Sequence, residues 1–424
     1  MKRALVFSGG GSRGAYEIGA WQAFSELGIR FQAVYGTSIG AINATLFAQG
    51  DLETAVRVWD NITAEKIVGV DGEDFAKIDS MISRKRDLLP FLIDHAKQLQ
   101  MDIAPLENLL RMHIDEGRVR ASGMQLGFMI VRFPGLSPAP VRLGQIKEGK
   151  LIDHVLASAS CFPIFPTRVI DGERYVDGGY YDNLPIDMAI EDGVQEIVAV
   201  DIHPKPTHPE YENMPFLTTI SPMRSLGSFL NFEQETLRRN RRMGYYDAMK
   251  RYGKFDGIRY TFIRQPELRI QRAARRYMQT LMRFDAQAIS RISLKPQSVT
   301  APLMSVISSD SPGRELTWKQ VFLRGLELAA LCANYEESAI YDPADLTARI
   351  IAVAAADTGG GLPEPEEKQL YLIARRGDRA LMSYLYRYLK QNSAFDEAGA
   401  RLVSAYPAQL AAALYLVQAE NAFA

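Results

Sequence analysis

The chain has 424 residues, 47% hydrophobic and 23% charged, enough for a large core and more than one compact unit. Its 49 basic and 50 acidic side chains leave a formal net charge of -1, without the basic excess of a general nucleic-acid binder. The two cysteines, Cys161 and Cys332, exclude a disulfide framework and a zinc cluster, and no stretch approaches the roughly 20 apolar residues of a membrane-spanning helix. The expectation is a cytoplasmic protein whose membrane contact is at most peripheral.

In chain order, Ala4 to Phe7 reads as a buried parallel strand, and Gly14 to Leu27 as a helix with Ile18, Trp21, Ala23, Phe24 and Leu27 at helical spacing. Phe31 to Tyr35 and Ile39 to Ala48 repeat the pair, so the alternation predicts an α/β fold with a mainly parallel sheet and right-handed crossovers. From Asp51 to about Gly123 the pattern is helical: Leu52 to Trp59, Phe75 to Gln100 with the cluster Arg84-Lys85-Arg86, and Pro105 to Asp115. Leu88, Leu89, Phe91, Leu92 and Ile93 around Pro90 read as a packed insertion, with a lid or membrane-facing patch as the alternative. Gln125 to Arg132 returns to a strand, with Val141 to Leu143 as its hairpin partner. Leu151 to Ser160 is a short helix, and the prolines of Cys161-Phe162-Pro163-Ile164-Phe165-Pro166 predict a stiff, extended pocket wall. Arg168 to Ile170 and Arg174 to Val176 form a hairpin that delivers Asp177, and Gln195 to Ile202 is a further buried strand.

Ser221 to Tyr252 reads as a long helix, Gly257 to Arg264 as the last strand of the main domain, and Leu268 to Ile292 as its closing helix. Arg238, Arg239, Arg241, Arg242, Arg272, Arg275 and Arg276 read as solvated helix faces, with anionic headgroups as the alternative partner. The shift to Ser, Pro and Thr after Lys295 predicts a main α/β domain over 1–295, a linker over 296–315 and an all-α domain over 316–424. That last domain carries no polar constellation, and its expected roles are packing, self-association or partner binding.

Two early segments carry the chemistry. Gly36-Thr37-Ser38-Ile39-Gly40 is a G-x-S-x-G in which small flanking residues let a strand turn sharply into a helix and expose the Ser38 oxygen. Gly9-Gly10-Gly11-Ser12-Arg13-Gly14, directly after the first strand, can aim backbone N–H groups into one concavity. The same glycines satisfy G-x-G-x-x-G, but the second strand ends without the acidic residue a dinucleotide ribose needs. A carboxylate, Asp177 in Asp177-Gly178-Gly179, completes the set as a base for the serine.

These three motifs, in this order, with Ala157-Ser158-Ala159-Ser160-Cys161-Phe162-Pro163 before the aspartate, resemble those of the patatin-like phospholipases over about two-thirds of the chain. Cys161 stands where the family's alanine is expected. The resemblance implies a patatin-like three-layer α/β/α domain and a lipid acyl hydrolase with a Ser38–Asp177 dyad, needing no cofactor or metal. It places the oxyanion hole at Gly9, Gly10, Gly11 and Ser12, with Arg13, Gly14, Gly36, Gly40, Gly178 and Gly179 as supporting residues. The expected substrate is a phospholipid or related ester, its chain bound by Phe162, Ile164, Phe165 and the Pro90 region. An acyltransferase on the same dyad, and a scaffold acting through the helical tail, are the alternatives. The five histidines, His95, His113, His154, His203 and His208, lie outside the motifs; His154 and His203 are kept as candidates for a triad-like base.

Overall fold

The computed structural model describes residues 2–68, 101–203, 205–291, 301–310, 315–356, 367–391, 402–420 and 422–423. The Pro90 cluster, Arg84-Lys85-Arg86 and His95 lie outside the described residues. The chain divides into two compact units, Met1–Arg251 and Tyr252–Ala424. Among the described residues, no helix is long and apolar enough to cross a membrane.

The strands of the first unit are β1 (Arg3–Phe7), β2 (Ala33–Thr37), β3 (Gln125–Arg132), β4 (Ser137–Pro138), β5 (Val141–Arg142), β6 (Arg168–Ile170), β7 (Glu173–Asp177), β8 (Glu196–Val200) and β9 (Leu217–Ile220). They form a sheet in the order β6-β7-β3-β2-β1-β8-β9, with the short β4 and β5 paired to β3. Strands β3, β2, β1, β8 and β9 are mutually parallel, while β7 runs antiparallel to β3 and to β6. The helices are α1 (Ala15–Glu26), α2 (Ile39–Gln49), α3 (Leu52–Asn61), α4 (Ala64–Val68), α5 (Ala104–His113), α6 (Glu116–Ala121), α7 (Leu151–Ser158), α8 (Ile186–Glu191) and α9 (Gln234–Arg251).

Both faces of the central parallel region are covered, which is why β1, β2 and β8 are buried along nearly their whole length rather than at alternate residues. On one face Ala4, Val6, Ala33, Tyr35, Ile197 and Ala199 pack with Ile186, Met188 and Ala189 of α8. On the opposite pleat Phe7 meets Phe47 of α2, and Phe47 in turn packs on Trp21 of α1. Helices α1 and α9 cross in backbone contact: a Cβ on Gly19 would strike the Arg241 carbonyl, and one on Gly244 the Tyr16 carbonyl.

Three expectations change. The long helix starts at Gln234 rather than Ser221, because Gly227 takes a φ of 90° and breaks the pattern, leaving Phe229 and Leu230 on a loop. The strand expected over 257–264 shortens to β11 (Thr261–Ile263), which pairs with β10 (Phe255–Asp256) and β12 (Ile340–Tyr341) in a separate small sheet of the second unit. The units part at Arg251–Tyr252, not over 296–315.

Residues of the expected linker instead form helix α11 (Pro302–Ser308), which follows α10 (Glu267–Arg291). Leu303 and Ile307 are fully buried one turn apart, and the Asp285 carboxylate of α10 accepts from the amides of Leu303 and Met304, both at 3.0 Å. The rest of this unit is helical, as expected: α12 (Trp318–Cys332), α13 (Pro343–Ala356), α14 (Glu367–Ala374), α15 (Asp378–Gln391) and α16 (Pro407–Ala419). Its core centres on Tyr277, Phe322 and Tyr415, with Tyr415 ring contacts of 5.9 Å to Tyr277 and 4.8 Å to Phe322.

Candidate active site

Strands β1 and β2 are adjacent and parallel, so their carboxyl ends deliver the glycine loop and the Ser38 elbow side by side, where α/β sheets bind ligands. Ser38 takes φ 55° and ψ -124°, a conformation that costs a non-glycine residue roughly 1–3 kcal/mol. Its neighbours explain why the elbow needs glycine. A Cβ on Gly36 would overlap the Gly40 carbonyl, and one on Gly40 would lie 2.6 Å from the Phe7 carbonyl oxygen. The Ser38 amide donates to Ser158 Oγ at 3.0 Å, and that hydroxyl donates to the Met129 carbonyl at 2.7 Å, so a buried serine of α7 anchors the turn to β3.

Asp177 ends β7, held by its amide donating to the Ser160 carbonyl at 2.9 Å. Its Oδ1 accepts from the Gly179 amide at 2.7 Å, and Ser38 is its side-chain hydrogen-bond partner. Burial pushes the Asp177 carboxyl up to about 6, against the opposing pull of Ser38 and of the Gly179 amide. The structure therefore brings together the serine and the carboxylate that lie far apart in the chain.

The glycine loop is fixed from outside. Arg13 Nε donates to the Gly227 carbonyl at 2.9 Å and Ser12 Oγ to the Ser228 carbonyl at 3.0 Å. Two of the four expected oxyanion amides are engaged elsewhere, which corrects that expectation. Gly9 N–H donates to the Asn183 carbonyl at 2.9 Å and Ser12 N–H to the Phe229 carbonyl at 2.8 Å. Gly10 and Gly11, at φ 155° and 58°, have amides with no hydrogen-bond partner among the described residues. Below the loop Glu17 is fully buried. Its Oε2 accepts from Asn43 Nδ2 at 2.7 Å, its Oε1 has no partner among the described residues, and burial pushes its carboxyl well above the carboxylate range.

Ser38, Asp177, Gly10 and Gly11 open on a cavity of about 410 Å³. Its walls are Ile39, Ile42, Ile62, Leu106, Ile164 and Phe165, with Phe229 and Leu230 of the loop before α9 on one side. Ile164 and Phe165 line it as expected, although 161–166 turns rather than running extended, Phe165 N–H donating to the Cys161 carbonyl at 3.0 Å. Phe162 packs instead on Phe133, at 5.1 Å between ring centroids. Neither candidate histidine base is turned to Ser38: His154 Nδ1 lies 2.8 Å from the Lys150 carbonyl, and His203 lies between Asp201 and Asn183. Sequence reasoning missed Ser158 and Asn183. Ser158 stands in the small-residue block before Asp177, and Asn183 follows the Asp177 turn, but nothing local in the sequence marks either contact.

The family model described as Patatin-like phospholipase matches residues 5–190. The chain is 28% identical over 201 residues to Lysophospholipase NTE1 of Cryptococcus neoformans, covering 47% of this chain and 11% of that protein. It is 27% identical over 201 residues to Patatin-like phospholipase domain-containing protein 7 of Rattus norvegicus, covering 47% and 13%. The chain thus spans about an eighth or less of the length of these relatives. VipD from Legionella pneumophila aligns over 98% of this chain and 90% of its own at 14% identity, with a TM-score of 0.37.

Proposed function

We propose, from the match of residues 5–190 to the Patatin-like phospholipase model, that the chain is a serine acyl hydrolase of that family, cleaving fatty-acyl esters of phospholipids or lysophospholipids through a Ser38–Asp177 dyad. One observation carries the reading: a strained serine meets a buried carboxyl of raised pKa beside two unengaged amides, at the mouth of an apolar cavity.

In this mechanism the acyl chain lies in the cavity and the ester carbonyl faces Ser38. Ser38 Oγ attacks the carbonyl carbon while Asp177 takes the hydroxyl proton. The oxyanion forms against the Gly10 and Gly11 amides, which need no reorganisation to receive it. Collapse breaks the ester bond, and the departing alcohol takes the proton from Asp177. Water then gives a proton to Asp177 and attacks the acyl-enzyme; the fatty acid leaves and Ser38 recovers its proton.

The test is fatty-acid release from phosphatidylcholine vesicles and from lysophosphatidylcholine, with fluorophosphonate labelling of the serine. The parent is expected to release fatty acid and take the label, and Ser38→Ala to do neither. Release by Ser38→Ala at the parent rate overturns the proposal.

A further inference from the structure

Asn183 touches both halves of the site. Its backbone carbonyl accepts from Gly9 N–H at 2.9 Å, and its Nδ2 donates to the Gly9 carbonyl at 3.2 Å, so one residue grips both sides of the segment that leads into Gly10. Because a carbonyl can only accept, the amide nitrogen must face Gly9 O, which turns Oδ1 toward the Asp177 loop. A Cβ on Gly179 would lie 2.8 Å from Asn183 Oδ1 and 3.1 Å from Asp177 Oδ1, and a Cβ on Gly9 would overlap Asn183 Oδ1 and lie 3.1 Å from Ser38 Cβ. The side chain is thus wedged between the glycine loop and the turn that carries the base.

Two further side chains set its orientation. The other Asn183 Nδ2 hydrogen points at His203 Nε2, 3.0 Å away, while His203 Nδ1 lies 2.8 Å from Asp201 Oδ1. The carboxylate holds the proton on Nδ1 and leaves Nε2 as the acceptor the amide needs. Asp201 is buried and fixed in turn by the Thr207 amide at 2.7 Å and the Thr207 hydroxyl at 3.0 Å.

We propose that Asn183, oriented by His203 and Asp201, is a positioning residue: it holds Gly9 so that the Gly10 and Gly11 amides stay aimed at the developing oxyanion. This rests on the dyad reading above. The experiment is steady-state hydrolysis of p-nitrophenyl butyrate by Asn183→Ala, His203→Phe, His203→Gln and Ser38→Ala, with melting curves for each. Asn183→Ala is expected to lower kcat roughly 30- to 100-fold, the scale of an ångström-sized misplacement, with KM within about twofold. His203→Phe lowers kcat roughly tenfold, and His203→Gln, whose amide oxygen can accept from Asn183, returns it to within about threefold of the parent. If Asn183→Ala does not fold, the two His203 variants decide. Parent kcat in both Asn183→Ala and His203→Phe overturns the proposal, as does a His203→Gln no better than His203→Phe. Full turnover by Ser38→Ala would instead remove the dyad reading itself.

Discussion

The Glu327 network of the second unit and the glycine loop of the first treat buried polar groups in opposite ways. In the second, Glu327 is 1% exposed, yet its Oε1 accepts from the amides of Ile258, Arg259 and Tyr260 at 2.6, 2.9 and 3.1 Å, and Arg324 pairs with both Glu327 and Asp310. Tyr277 donates to the Ala411 carbonyl at 3.0 Å, and Thr347 and Tyr415 share a hydrogen bond of 2.8 Å. In the first unit, the Gly10 and Gly11 amides and Glu17 Oε1 lack partners among the described residues, and Ser38 is strained. Satisfied networks build a scaffold, whereas the Gly10 and Gly11 amides, which line the cavity, are what a reacting substrate can complete.

Variants in each unit can break this contrast, and the largest effect belongs to the dyad. Ser38→Ala and Asp177→Asn are each expected to lower kcat by about 10⁴-fold, read as p-nitrophenyl butyrate hydrolysis. Asp177→Asn carries a signature in stability as well. The folded-state pKa of Asp177 is raised from 3.8 to about 6, so the folded state binds the proton more tightly and the ionised carboxylate costs stability as pH rises through that window. Urea unfolding should find Asp177→Asn more stable than the parent by on the order of 1–3 kcal/mol at pH 7, a difference that disappears near pH 4.

Next comes Gly11→Ala, which meets φ 58° and the Phe229 carbonyl at once and should lower kcat roughly 10²–10³-fold. In the second unit, Glu327→Ala removes one of the two carboxylates paired with Arg324 and leaves three amides without their acceptor. It should destabilise the protein by about 3–5 kcal/mol in urea, while kcat/KM at 25 °C stays within about twofold. Equal losses of stability and turnover in that variant would break the contrast. The pH profile tests the base directly: kcat/KM should rise about tenfold per unit up to about 6 and then level, as Asp177 loses its proton.

The candidate site was legible in sequence where a motif is local. The elbow glycines, the glycine loop and Asp177 stood out because turns that tight accept few residues, and the parallel α/β unit followed from the alternation of β1, α1, β2 and α2. What was not legible depends on contacts across long separations. Whether Gly9 and Ser12 keep their amides free is decided by Asn183 and Phe229, and Asn183 itself is set by His203 and Asp201. The unit boundary was misplaced for a similar reason: the Ser- and Pro-rich stretch reads as a linker until Leu303 and Ile307 find a core and Asp285 caps their helix.

The order of these parts along the chain has a consequence for biosynthesis. The glycine loop and Ser38 lie on the neighbouring strands β1 and β2, whereas Asp177 arrives much later on β7, which pairs beyond β3. A ribosome-bound chain that has emerged only as far as β3 carries the proposed nucleophile without its proposed base. Under the proposed mechanism, catalytic competence waits for the β3–β7 pairing, so a nascent copy would be inert toward ester bonds until most of its first unit has emerged and folded.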